Sequence, residues 1–314
     1  MRICVFGAGA VGGHFAARLA AAGHDVSVVA RGAHLEAMRR NGVKLLHGDE
    51  VIQGRVRSAD PGPQDAVLVT LKANMLGSFA EAAAPLLTPE TEVVFAQNGI
   101  PWWYPADLPR LDPGGKLKRT MRNVVGAAVY SANQVVEPGV IRNFVPNNNM
   151  LVIGQASGTD SPRTLELRDV LEKAGVSSPP TQDIRSSVWA KLVQNLANSS
   201  LCLLTGASIS DVVADPALLQ LKQKVSAEAR AIADALGVDI AKAPTRPGGG
   251  HASGAVGHKP SMLQDYERGR PMEIEAQLMA PLALARAANV AAPTLEVLVA
   301  LAAHKAAARG LYTP

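Results

Sequence analysis

Apolar and polar positions along this chain follow two different periods, and the change from one to the other divides it. In the first part, short apolar runs between polar or glycine turns predict buried strands at Ile3 to Phe6, Asp25 to Ala30, Asp65 to Leu71 and Glu92 to Ala96. Helical spacing predicts helices from about Ala10, over Ala33 to Arg40 and over Met75 to Leu87. Val43 to His47 and Glu50 to Arg57 read as a hairpin around His47, Gly48 and Asp49. Strand-like segments near Asn123 to Tyr130, Gly139 to Phe144 and Leu151 to Ile153 complete a sheet, and a helix at Ser161 to Ala174 followed by Val176 to Pro180 closes the set. Such alternation predicts an α/β fold: a doubly wound, Rossmann-like domain over residues 1–182, with ligands held beyond the carboxyl ends of its strands.

From Asp183 the period changes. Apolar residues recur at helical spacing through Val188 to Leu204, Pro216 to Leu236, Met262 to Glu267, Ile274 to Ala288 and Pro293 to Ala308, predicting a predominantly α-helical second domain over residues 183–314. Between these helices, residues 243–260 (APTRPGGGHASGAVGHKP) cannot sustain a helix. A loop of that length is more often functional or disordered than neutral, and its glycine-rich part, 246–257, would suit a flap.

The turn after the first strand carries the first candidate chemistry. Gly7, Ala8, Gly9, Ala10, Val11 and Gly12 have GxGxxG spacing between a strand and a helix, the arrangement that brings backbone N–H groups to a dinucleotide pyrophosphate. At the end of the second strand, where an NAD-binding protein usually places an acid for the ribose hydroxyl, stands Arg31, and no acid occurs from Val26 to Leu35. A guanidinium cannot accept from that hydroxyl but suits a 2′-phosphate, and His34, Arg39 and Arg40 add positive charge nearby, so NADP is expected over NAD. The competing reading of Arg31 is a solvated loop arginine. Lys72 and Asn98 also stand at strand ends.

Composition narrows the partners. The 314 residues carry a net charge of +4 and only 4% aromatic residues, without basic blocks interleaved with aromatics, which argues against nucleic-acid binding. Cys4 and Cys202 lie apart in apolar segments and suggest neither a disulfide nor a metal framework. No apolar stretch reaches the roughly 18 residues of a spanning helix, and the first strand begins at residue 2, so a soluble cytoplasmic protein is expected, with a homodimer among the assemblies allowed.

The helix from Trp189 to Ser199 puts polar groups on an otherwise apolar element. At about 100° per residue, Asn195, Asn198 and Ser199 fall roughly +40°, −20° and +80° from Lys191, a shared face that would suit a small anionic substrate with further hydrogen-bonding groups. Mere exposure of that face is the alternative. In the stretch Ser261 to Ile274, Ser261 is by default an N-cap, Asp265, Glu267, Arg268 and Arg270 a solvated face, and Glu273 a carboxylate favoured by a helix dipole.

Taken together, GAGAVG at 7–12, Arg31, Lys72, QNG at 97–99, KLxxN from Lys191 to Asn195, and SMLQD with Glu273 twelve residues after Ser261 resemble the ketopantoate reductase (2-dehydropantoate 2-reductase) family over essentially the whole chain. The resemblance implies NADPH-dependent reduction of 2-dehydropantoate to (R)-pantoate, on the route to pantothenate and coenzyme A. It implies Lys191 as the catalytic lysine, Asn195 and Ser261 in contact with substrate, Arg31 and Lys72 with the cofactor, Asn98 near both ligands, and Glu273 at their junction across a closing cleft. Two positions depart from the family pattern: Ser199 stands where a second asparagine is common, with Asn198 one place earlier, and Ile209 stands where a further asparagine is expected. Two other readings compete, an NADP-dependent dehydrogenase of another 2-keto or 3-hydroxy acid and a non-catalytic NADP-binding redox sensor.

Overall fold

The computed structural model describes residues 1–58, 61–245 and 257–314. The 246–257 flap expected from the sequence lies outside the described residues except for Gly257. The chain forms two compact units. The first contains Met1–Gln97 and Gly115–Ile184, the second Asn98–Gly114, Arg185–Ala243 and the described residues from 257 onward. Asn98–Gly114, which the sequence pattern attaches to the first domain, therefore groups with the helical unit.

In chain order the first unit contains β1 (Arg2–Phe6), α1 (Ala10–Ala21), β2 (Asp25–Val29), α2 (Gly32–Asn41), β3 (Val43–His47), β4 (Glu50–Gly54), β5 (Ala66–Val69), α3 (Leu76–Ala82) and β6 (Glu92–Phe95). Then follow α4 (Lys116–Thr120), β7 (Asn123–Tyr130), β8 (Asn133–Glu137), β9 (Val140–Asn143), β10 (Met150–Gln155) and α5 (Pro162–Lys173). Six strands form one sheet in the order β10-β7-β6-β5-β1-β2, parallel except for β10. Val5 of β1 pairs with Val28 on one side and Leu68 on the other, so the glycine turn leaves the strand beside which the order reverses.

A second sheet, β4-β3-β9-β8, lies against the other side of α1. The segment 139–144 belongs to this sheet and not to the main one, and β8 was not foreseen at all. Helix α1 is thus covered on two sides, which explains why it is built from small residues. A Cβ on Gly12 would lie 2.4 Å from Thr70 Oγ1, and one on Gly13 2.5 Å from Ile141 Cδ1. Elsewhere, the helix expected over Met75 to Leu87 is broken into a 3-10 turn (Ala73–Met75), α3 and a second 3-10 turn (Ala84–Leu86). Pro85 lacks the N–H that would continue it. Val176 to Pro180 contributes a single bridge, Met150 to Ser177, in place of a strand.

Inside the layer between α1 and the second sheet lies a buried polar cluster. His14 is fully buried and its Nδ1 donates to Asn133 Oδ1 at 3.1 Å, while Arg18 Nη2 donates to His47 Nε2 at 2.7 Å. Burial, with Arg18 and His47 adding to it, pushes the His14 pKa down to about 3, and burial also lowers that of His47.

The second unit contains α6 (Ile184–Thr205), α7 (Ile209–Ala214), α8 (Pro216–Ala235), α9 (Ser261–Glu267), α10 (Ala280–Ala287) and α11 (Pro293–Ala307). Asp215 caps α8 through the Ala217 and Leu218 N–H groups, and Ser208 with Asp211 forms a capping box on α7, a helix absent from the sequence expectation. The predicted helix 274–288 is not uniform, because Glu275–Met279 is a π-helix that runs into α10. No described helix is long and apolar enough to cross a membrane.

The state of His14 makes stability pH-dependent. The folded pKa lies below the unfolded value of 6.5, so the unfolded chain binds the extra proton between about pH 6.5 and 3, and stability falls as pH drops through that window. His14 alone should contribute a slope of about 1.4 kcal/mol per pH unit well below 6.5. Urea midpoints at pH 7, 5.5 and 4.5 should show a shallower decline for His14→Gln than for the parent; parallel declines would refute the assignment.

Candidate active site

In the first unit the glycine turn meets the requirements of a phosphate cradle. Gly9 precedes α1, a Cβ built on it would meet nothing closer than Gly7 O at 3.9 Å, and α1 has neither a side-chain cap nor an acid in its first turn. Its leading N–H groups and the open space over Gly9 suit the close approach of a pyrophosphate. Arg31, two residues beyond β2, is the N-cap of α2, and its exposed side chain has no partner among the described residues. Lys72, half-buried, caps the 3-10 turn after β5.

His34 has a different task from the one its charge suggested. The Gly139 N–H donates to His34 Nδ1 at 2.9 Å, so Nε2 carries the proton and donates to Ala8 O at 2.8 Å. The ring ties the glycine turn to the β8–β9 hairpin and is not a cation for a ribose phosphate. Arg39 is likewise engaged, with Glu36 and Ser58.

In the second unit the polar face of α6 is sharply bounded. Between Val188 and Leu203 every residue is buried except Ala190, Lys191, Gln194, Asn195 and Asn198, which are half-buried and recur at helical spacing along one stripe. The face is neither core nor freely exposed. Ser199 is 3% exposed and lies beneath its flank, whereas Asn198 belongs to the stripe and its Oδ1 is buried with no partner among the described residues. Ile209, at the start of α7, is buried.

Lys191 is held in place from another segment. Its Nζ donates to Asn98 Oδ1 at 2.6 Å, and Trp189, one half-turn earlier on α6, donates from Nε1 to Tyr104 Oη at 2.9 Å. Asn98 sits on a turn that rests against the π-helix. Gly99 has φ +85°, a Cβ there would lie 2.3 Å from Ala276 O, and the Ile100 N–H donates to that same oxygen at 2.8 Å.

The π register explains why the Ala276 carbonyl is available. Ala280 N–H donates to Glu275 O, five residues back, and the next donor in that register would be residue 281, which is Pro281 and has no N–H. Glu273, 7% exposed, opens this region; its Oε2 accepts from Gln277 Nε2 at 3.3 Å.

Of the remaining candidates, Ser261 is the first residue of α9 and exposed. Pro260 is the N-cap and no side-chain cap bond forms, so the default capping role of Ser261 is not realised. Asp265 is buried, at 7% exposure, and does not belong to a solvated face. The structure thus joins Asn98 to Lys191, places Asn195 and Asn198 on the same stripe, and links Glu273 to the Asn98 turn through one helix. It leaves Ser261 without a direct bond to them among the described residues.

Sequence reasoning missed Tyr104, Trp189, Gly99 as a seat, and the π-helix. Only Pro281 was a readable signal. A side chain at Gly99 should unseat the turn: Gly99→Ala introduces strain of about 1–3 kcal/mol and should lower the melting temperature by about 2–10 °C. Thermal denaturation decides it, and an unchanged transition would show that the turn does not depend on this contact.

Comparison with known proteins completes the description. A family model described as "Ketopantoate reductase PanE/ApbA" matches residues 3–156, and one described as "Ketopantoate reductase PanE/ApbA C terminal" matches residues 183–306. The chain is 42% identical to a 2-dehydropantoate 2-reductase of Mesorhizobium japonicum, with all of both chains covered. Among solved structures it is similar to a candidate ketopantoate reductase from Ralstonia solanacearum MolK2, at 34% identity and a TM-score of 0.86 over 99% of each chain. A 2-dehydropantoate 2-reductase from Geobacter metallireducens matches at 27% identity and a TM-score of 0.80, over 96% of this chain and 99% of that one.

Proposed function

The chain belongs to the ketopantoate reductase family, oxidoreductases acting on CH–OH groups with a nicotinamide cofactor, and on that premise we propose that it reduces 2-dehydropantoate to (R)-pantoate with NADPH in coenzyme A biosynthesis. The observation that carries this reading is the 2.6 Å bond between Lys191 Nζ and Asn98 Oδ1 on the one half-open stripe of α6. NADPH, when bound, supplies a hydride to the keto carbon. Lys191 stabilises the negative charge that grows on the keto oxygen and donates the proton that completes the alcohol.

Asn98 accepts from Nζ and so fixes where that proton is delivered, which is worth more than the bond's own energy because small displacements of a donor are costly in rate. Asn195, Asn198, Ser199 and Ser261 orient the hydroxyl and carboxylate ends of the keto acid. The partnerless Asn198 Oδ1 supports a substrate that brings a hydrogen-bond donor to it. For the cofactor, the turn from Gly7 through Gly12 holds the pyrophosphate, Arg31 the 2′-phosphate and Lys72 a neighbouring phosphate or ribose, while Glu273 lies where cofactor and substrate meet. A homodimer in the cytoplasm is the setting we assign to it.

A second reading has its own observation. With Ser199 buried and Asn198 on the stripe, the amide arrangement differs from the family pattern, which favours testing other branched 2-keto acids beside 2-dehydropantoate.

NADPH oxidation across a small panel of 2-keto acids, compared as kcat/KM, tests cofactor, reaction and substrate together. The proposal expects 2-dehydropantoate to lead the panel and NADPH to be preferred over NADH; preference for NADH, or for another acid, would refute the corresponding part. Lys191→Ala should lower turnover by about 10² to 10⁴. Arg31→Ala should weaken NADPH by about tenfold or more while leaving NADH nearly unchanged, as expected for loss of a charge-assisted bond. An unchanged affinity for NADPH would reassign Arg31 to the solvated loop, and equal losses for the two cofactors would move its contact to a part they share.

A further inference from the structure

The position of Lys191 depends on Asn98, and the position of Asn98 depends on the π-helix, so whatever holds the π-helix acts on the proton donor at a distance. Its first residue, Glu275, is gripped from two directions. Arg110 Nε pairs with Glu275 Oε2 at 2.8 Å, and the Tyr312 hydroxyl donates to the same oxygen at 2.8 Å. Arg110 lies over the Tyr312 ring, 5.9 Å from its centroid, and donates from Nη2 to Thr313 O at 2.8 Å. The Met272 N–H donates to Leu311 O at 2.9 Å, so residues 311–313 run alongside the start of the π-helix.

Arg110 belongs to the same stretch, Asn98–Gly114, that carries Asn98. That stretch is therefore bound to the π-helix at both ends, by Ile100 to Ala276 and by Arg110 to Glu275, and to α6 in between by Tyr104 to Trp189. The bonds close a ring on which Lys191 and Asn98 both sit.

We propose that Tyr312 and Glu275, with Arg110, form a brace that keeps the π-helix in the register presenting the Ala276 carbonyl to Ile100, and are positioning residues for the Asn98–Lys191 pair. This rests on the reading of Lys191 as the proton donor. The Arg110 side chain is 53% exposed, and ion pairs at that exposure add little to stability, so the brace is better understood as setting geometry. The hydroxyl of Tyr312 is the more enclosed member: burial and the Glu275 carboxylate beside it push its pKa up to about 12, and it stays a donor throughout the working range. A π-helix needs such support because its widened backbone is less favourable than the α-helix it could become once the ladder is free to shift.

The test uses the full chain with Tyr312→Phe and, separately, Glu275→Gln. Two measurements are made on each: hydrogen exchange of the peptide covering residues 98–104, and kcat and KM with whichever 2-keto acid the parent reduces fastest. The brace predicts faster exchange at 98–104 with none at residues 2–30, about a tenfold fall in kcat, and a KM for NADPH within about twofold of the parent. Pro281→Ala, which returns an N–H to the position facing Ala276 O, should likewise loosen the 98–104 peptide. Unchanged exchange at 98–104 in Tyr312→Phe and Glu275→Gln would overturn the proposal, as would a kcat that stays at the parental value. If the parent reduces no acid on the panel, the reading of its reaction fails while the exchange measurement still decides the brace.

Discussion

One backbone carbonyl without a helical partner of its own organises the geometry around Asn98 and Lys191. In a regular helix the Ala276 oxygen would be consumed four residues later; in the π register the donor due to it is Pro281, which has none. A buried carbonyl left in that state would be costly, and the Ile100 N–H satisfies it from a different segment. That single exchange brings the Gly99 backbone against the helix at a distance no side chain tolerates, and so fixes the neighbouring Asn98 amide at the lysine ammonium. The irregular helix and the strained glycine turn are two halves of one solution.

The first unit obeys the same economy of space for a different end. Its glycine turn, α1 and the two sheets are brought together by positions without side chains, Gly12 toward β1 and β5 and Gly13 toward β9. Close packing on both sides of α1 keeps the helix N-terminus rigid, and His34 adds a direct tie between the turn and the second sheet. Packing on both sides, with no capping side chain, leaves the first N–H groups of α1 fixed and unoccupied by a side-chain cap.

How much of this could be read from the sequence depended on whether a feature has a period. The glycine turn between β1 and α1, the parallel strands and the stripe of α6 all repeat at the spacing of their element and were legible. β8 was not, because NQVVE is short, follows a polar stretch and finds its partner through a hairpin in a second sheet. Pro85 was visible, yet its breaking of the predicted helix was outweighed by the apolar spacing around it. The π-helix has no sequence period at all; its cause, Pro281, is one residue whose effect appears only when another segment supplies the missing donor. Asp265 and Ser261 went wrong for the converse reason, since burial and capping depend on neighbours distant in the chain.

The departure at residues 198 and 199 is where this balance bears most on specificity. A helix rotates each residue by about 100°, so moving an amide one place along cannot be neutral: it exchanges a flank position for one near the middle of the stripe. Ser199 has the small side chain that a buried flank tolerates, and Asn198 has the larger amide where the helix is half open. The pairing of a smaller group below with an amide above is self-consistent packing, and it leaves Asn198 Oδ1 as a buried acceptor awaiting a donor. A ligand that satisfies it must reach deeper along α6 toward Asn198 than one held by Lys191 and Asn195 alone, since those three residues span two turns of the helix. The distance from Lys191 to Asn198 along that stripe therefore sets how far such a ligand has to reach.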